Sequence, residues 1–161
     1  MPAIDIEAAR VEVTEKLPIR TRWNLDGTPW DWDFSRSLRS LEPIGALGLF
    51  GTVVLDDWRP LRVFGEEAVG EGGGAHPFVC MHAETGLVLG FDIERDKSPV
   101  FLLNTSLARF IATFLLFDHV LRAERAAARE LPARVREIDA DAFGESEWRE
   151  AADYVEALYR A

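Results

Sequence analysis

The spacing of apolar positions along this chain changes twice, and the changes divide it into three zones. Residues 1–47 hold weak periodicity, a short helix predicted around residues 6–15, and the turn signal "LDGTPW". From 48 to 103 the pattern is one of short β-prone runs separated by turn residues, which predicts strands at about 50–55, 61–64, 77–82, 87–91 and 100–103. Between two of these, Ala83-Glu84-Thr85-Gly86 reads as a tight hairpin with Gly86 where a positive φ is needed. From 104 to 161 the apolar residues fall at helical spacing.

The stretch "VFLLNTSLARFIATFLLFDHVLRA" (100–123) carries the strongest signal. Arg109 and Asp118 interrupt it, so its apolar run falls well short of the ~20 residues a membrane-spanning helix needs. Asn104, Thr105 and Ser106 are each able to accept a bond from the first free helical amides, and any of the three could be the cap. Leu107, Phe110, Ile111, Phe114 and Leu121 follow on one face, and Thr113, Leu116, Phe117 and Val120 widen the apolar surface to most of the circumference. Such a helix is buried on nearly all sides. Arg122, Arg125 and Arg129 suit its C-terminal dipole, and the reading takes it to about Arg129, with Pro132 as the stop. A last helix starts at Ser146, with Trp148, Ala151, Ala152, Val155, Leu158 and Tyr159 in one stripe.

Strands followed by helices predict an α+β fold. It is expected to be a single domain with a mainly antiparallel sheet of about five strands, a buried long helix, and a C-terminal helix packed on it. The core is expected to include Leu107, Phe110, Ile111, Phe114 and Trp148.

Composition then narrows the function. With 48% hydrophobic and 11% aromatic residues the chain is globular. A formal charge of -10 argues against nucleic acid and against anionic membrane surfaces, and a protein partner, if there is one, is expected to be basic. The single Cys80 gives no disulfide framework, and the acidic N-terminus is no secretory signal, so a cytoplasmic location is expected.

Catalytic chemistry is thin. "GEGGGA" (70–75) imitates a phosphate loop but lacks the Lys and Ser/Thr that must follow, and Glu66, Glu67 and Glu71 would repel a phosphate. His76, Cys80 and His82 fall at alternate spacing and could share a strand face as zinc ligands, although the spacing matches no common zinc motif. Asp118 and His119 are adjacent on a helix and do not face each other. Asp139 and Asp141 in "EIDADAF" lack the glycine and terminal glutamate of a calcium loop; "DADAFGES" reads as an acidic approach to the last helix. No catalytic residue, metal or cofactor is assigned.

The succession of "LRVFGEE", a strand, "ETG", a strand, "FLLNTSLARFIATFLL", and an acidic segment before a helix opened by Trp148 resembles the SUKH superfamily. The likeness is to its bacterial immunity-protein branch, where an Asn-Ser-Ser-Leu-type helix start and a late Trp recur. It covers roughly residues 62–159, and Asn104, Leu107, Phe110 and Trp148 carry most of it; Thr105 stands where the pattern often has Ser. The resemblance implies a mixed α+β sheet with flanking helices, and a role in neutralising a cognate toxin inside the cell that makes it. Fold alone does not give function.

Two features fit a partner surface. "PWDWDF" (29–34) alternates, so a strand would put Trp30, Trp32 and Phe34 on one face and Asp31 and Asp33 on the other. The aromatics then either fill the core or form an exposed anchor. Residues 56–96 hold nine acids against three arginines, and 137–156 eight against one. The expected partner-binding residues are Trp30, Asp31, Trp32, Asp56, Asp57, Glu66, Glu67 and Glu71. The sequence reading is thus an immunity-type, non-enzymatic binding protein. Its alternatives are a small metal-dependent or hydrolytic enzyme using His76, Cys80 and His82, and a regulatory or scaffold module.

Overall fold

Asp26 (φ 52°) and Gly27 (φ 91°) close a two-residue turn between β1 (Arg20–Leu25) and β2 (Thr28–Asp33). Positive φ at both central positions matches the right-handed twist of the flanking strands, and Asn24 Oδ1 fastens the turn by accepting from the Gly27 N–H at 2.8 Å. In the computed structural model, which describes residues 4–35, 41–44, 56–69, 77–92 and 98–160, this hairpin begins a seven-stranded antiparallel sheet.

The sheet runs β1-β2-β4-β5-β6-β7, with β4 at Leu61–Val69, β5 at Phe78–His82, β6 at Val88–Phe91 and β7 at Val100–Asn104. The short β3 (Glu42–Pro43) pairs with the first half of β4, and β2 pairs with its second half. The strands expected near 61–64, 77–82, 87–91 and 100–103 are present; β1, β2 and β3 add to the five expected, and the strand placed at 50–55 lies outside the described residues. Gly86 closes the β5–β6 hairpin at φ 78°. Pro29 is accommodated because β2 pairs with β4 only from Trp30 onward.

Helix α1 (Ile6–Lys16) opens on an Asp5 cap. Helix α2 (Leu107–Ala123) is the expected core helix, and Ser106 is its cap, accepting from the Arg109 N–H at 3.2 Å. It ends at Ala123, earlier than the spacing predicts, because Glu124 leaves the helical region and Arg125–Glu130 continues as a 3₁₀ segment. Pro132 does not stop a helix. It opens α3 (Leu131–Ile138), in the first turn, where its missing N–H would have had no intrahelical partner. The short α4 (Ala140–Phe143) and then α5 (Glu147–Leu158) follow. No helix among the described residues is long and apolar enough to cross a membrane.

The main core lies between the sheet and α2. Leu107, Phe110, Ile111, Phe114 and Trp148 are all buried in it, as expected. Trp148 is wedged among aromatic rings, 4.7 Å from Phe117 and stacked 5.5 Å from Trp32. The opposite sheet face carries a smaller cluster around Ile44, Leu61, Val63, Cys80, Leu89 and Phe91.

Candidate functional site

A cleft of about 600 Å³ opens where the β2–β4 seam faces α5. The register opposes Trp32 to Glu67 and Asp33 to Glu66. Alternation therefore turns Glu67 toward the face that carries Trp30 and Trp32, and Glu66 toward the other. Glu67 Oε2 accepts from the Trp30 indole N–H at 3.2 Å, which holds the carboxyl against the aromatic wall.

The opposite wall is the first half of α5, and its position follows from one serine. Ser146 Oγ donates to the Leu103 carbonyl at 2.6 Å and accepts from the Trp148 N–H at 3.1 Å, so the helix cap is also the tie to β7. With the helix start fixed, Glu147, Glu150, Ala151 and Tyr154 border the cleft. Phe101 on β7 closes one side, beneath which Gly90 makes room: a Cβ on Gly90 would lie 2.1 Å from the Phe101 ring.

Glu67 is the distinctive group. Loss of hydration against the rings pushes its carboxyl up to about 7, the Trp30 N–H opposes this, and the nearby Glu147 charge adds to it. Trp32 is buried at 1% exposure, and its Nε1 has no hydrogen-bond partner among the described residues. A carboxyl raised toward neutrality by desolvation is suited to proton transfer or to a counter-ion role. The described residues lining the cleft include no cysteine, serine, histidine or lysine to act with it, and no basic group to neutralise it.

The expected partner-binding residues are dispersed. Trp30, Trp32 and Glu67 meet at this cleft, but Trp32 is a core residue and Trp30 is 8% exposed, so neither is a protruding anchor. Of the two alternatives left open by the sequence the aromatics take the core, because their face of β2 is the face that α2 and α5 cover. Asp31 is on the outer face, in a two-pronged pair with Arg22 at 2.7 and 3.1 Å. Asp56 and Asp57 are exposed in a 3₁₀ turn before β4, at the opposite end of that strand from Glu66 and Glu67, and Asp56 pairs with Arg59 at 2.8 Å. Glu71 lies outside the described residues, as does His76.

The remaining candidates for chemistry have structural work. Cys80 is fully buried, and desolvation pushes its thiol well above the ordinary range, which disfavours the thiolate that zinc requires. His82 Nδ1 accepts from the Glu84 and Thr85 N–H groups at 3.1 and 3.2 Å and so shapes the hairpin turn. Among the described residues no group of three His, Cys, Asp or Glu is close enough to hold a metal ion. Asp118 Oδ1 accepts from the Trp23 indole at 2.9 Å and from Arg122 at 2.6 Å. Asp139, read from sequence as part of an acidic approach, is buried and accepts from the Thr105 N–H at 2.7 Å, the Thr105 hydroxyl at 2.8 Å and Asn104 Nδ2 at 3.2 Å.

Sequence reasoning missed Asp92, Glu147, Glu150 and Tyr154 as neighbours of Glu67. Their helical or strand positions were legible, but nothing in the spacing reports how far α5 stands from the β2–β4 seam. Compared with protein-family models, curated proteins and solved structures, the chain matches none.

Proposed function

We propose that the protein is an immunity-type binding protein that neutralises a cognate toxin in the cytoplasm by direct contact, as the SUKH-like motifs imply. The observation that carries this reading is the cleft itself: carboxylates of Glu67 and Glu150 border an aromatic hollow that no basic side chain lines among the described residues. Such a surface attracts a basic partner, in keeping with the overall charge of -10. Opposite charge speeds encounter, and the aromatic walls supply the apolar contact that slows dissociation.

The test is co-expression with the product of the adjacent gene. The wild type is expected to bind that product and to rescue cells expressing it, with association slowing steeply as salt rises. If it neither binds nor rescues, the immunity reading is wrong.

A further inference from the structure

The shape and charge of the cleft restrict what it takes. An anion would meet Glu67, Asp92, Glu147 and Glu150. A neutral apolar ligand would strip water from the Glu67 and Glu150 carboxylates and return no bond, a costly exchange. A bare metal ion needs converging ligands, and among the described residues these acids do not converge closely enough to hold one. A cation with a planar or aliphatic body fits both halves of the lining, because its flat part lies on Trp30 and Tyr154 while its charge reaches the carboxylates.

Two further observations point to a polypeptide. About 600 Å³ is more than one small cation fills, and leaves space for flanking chain. Tyr154 at the border of the cleft is half exposed and Glu150 is exposed, so the chain that carries the cation can stay in solvent while its side chain enters. Between the two basic side chains, the guanidinium is planar, stacks on rings, and is the more weakly hydrated.

We infer that the cleft receives an arginine side chain on a loop of the partner polypeptide, with Glu67 and Glu150 as counter-ions and the Trp30 and Tyr154 rings as its walls. The inference rests on the binding-protein reading above and names the chemistry of the partner at that same site.

The arrangement also makes recognition respond to pH. Glu67 shares the cleft with Trp30 and Trp32 from β2, Glu147, Glu150 and Tyr154 from α5, and Asp92 after β6, with no basic neighbour among the described residues that line it. Its carboxyl, raised to about 7, has to lose its proton to pair with the guanidinium. Arginine itself stays charged throughout. If only the ionised form binds, the apparent affinity should rise roughly tenfold between pH 6 and pH 8, following the ionised fraction.

N-acetylarginine amide is the probe, with the lysine and citrulline amides as controls, and the indole N–H signals of the five Trp residues are followed by NMR. Arginine amide is expected to shift the Trp30 and Trp32 signals, and the controls several-fold less. Glu67→Gln should weaken binding and flatten its pH dependence. Glu150→Lys, at an exposed helix position, should weaken binding with the circular dichroism spectrum unchanged. Equal response to citrulline or lysine, no shift with arginine, or wild-type binding by Glu150→Lys would overturn the assignment. The probe involves no toxin, so the two readings fail separately. Probe binding without rescue by the wild type removes the immunity reading alone, and rescue without probe binding removes the arginine assignment alone.

Discussion

Asn104 Oδ1 accepts the Trp148 indole N–H at 2.8 Å and thereby joins the last residue of β7 to the first turn of α5. Both residues are 1% exposed. The Asn104 amide nitrogen donates in turn to Asp139 and to Thr113 Oγ1, so one side chain ties together β7, α2, α5 and the residue before α4. Replacing Trp148 with Phe keeps an aromatic ring but leaves the Asn104 oxygen buried without its donor. The expected loss is about 1–3 kcal/mol in a urea titration, the cost of an unsatisfied buried polar group. A loss below about 0.5 kcal/mol would show that the indole N–H contributes nothing beyond ring packing.

Asp139 is the second half of the same lock. Truncation to Ala strands three donors, two of them on Thr105, and frees Arg109, whose guanidinium lies 3.7 Å from the carboxylate. Arg109 is about half exposed and can turn to water, so most of the cost is expected from the buried donors. The prediction is a loss of about 2–4 kcal/mol, with each orphaned group contributing on the order of 1–3 before relaxation. Stability equal to wild type would mean that the donors find other partners.

How much of this was legible depends on range. The helix start at 104–106 was visible because three cap-forming residues precede an apolar helical stripe. The division of labour among them was not: Ser106 caps, while Asn104 and Thr105 reach Asp139, which is 35 and 34 residues further along the chain. The hairpin at Gly86 and the strands of β5, β6 and β7 were local and could be read. The β1–β2 hairpin carried an Asp-Gly turn between alternating runs, but Pro29 and the charges on the outward face diluted its strand signal. The cleft was illegible because Glu66 and Glu67 look equivalent in sequence, and only the register with Trp32 and Asp33 assigns them to opposite faces.

Phe114 tests the core itself. It is fully buried, 4.9 Å from Trp23 and edge-on to Trp32 at 5.4 Å. Phe114→Ala is expected to cost about 3–5 kcal/mol, lost ring burial plus the cavity left behind. An unfolding titration showing less than about 1 kcal/mol would contradict its place in the core.

Gly90 tests the cleft wall. Any side chain there meets the Phe101 ring, which borders the cleft, so the ring has to move. Gly90→Ala should cost about 1–3 kcal/mol as overpacking. It should also weaken partner binding, whereas an Ala that leaves both stability and binding unchanged would mean that Phe101 swings aside freely.

Glu67 gives stability a pH dependence whose sign is fixed. Its carboxyl is raised from 4.5 to about 7 in the folded protein, so between those values the folded state holds a proton that the unfolded chain has released. Stability linked to this group is therefore fully present below about pH 4.5 and is lost as pH rises toward 7 and just beyond, the reverse of a salt-bridged carboxylate. At about 1.4 kcal/mol per pH unit, and with the side chain partly open to solvent, the loss is on the order of 1–3 kcal/mol. Glu67→Gln keeps the shape and removes the titration. The variant should match wild type near pH 5 and exceed it at pH 8, with the difference growing between the two. Other groups titrate in the same range, but they are common to both proteins and cancel in the difference. Urea titrations of the pair at pH 5, 6, 7 and 8 measure it directly. A difference that stays constant across that range would mean that Glu67 is hydrated in the folded protein, and the desolvated carboxyl at the aromatic wall would have to be abandoned.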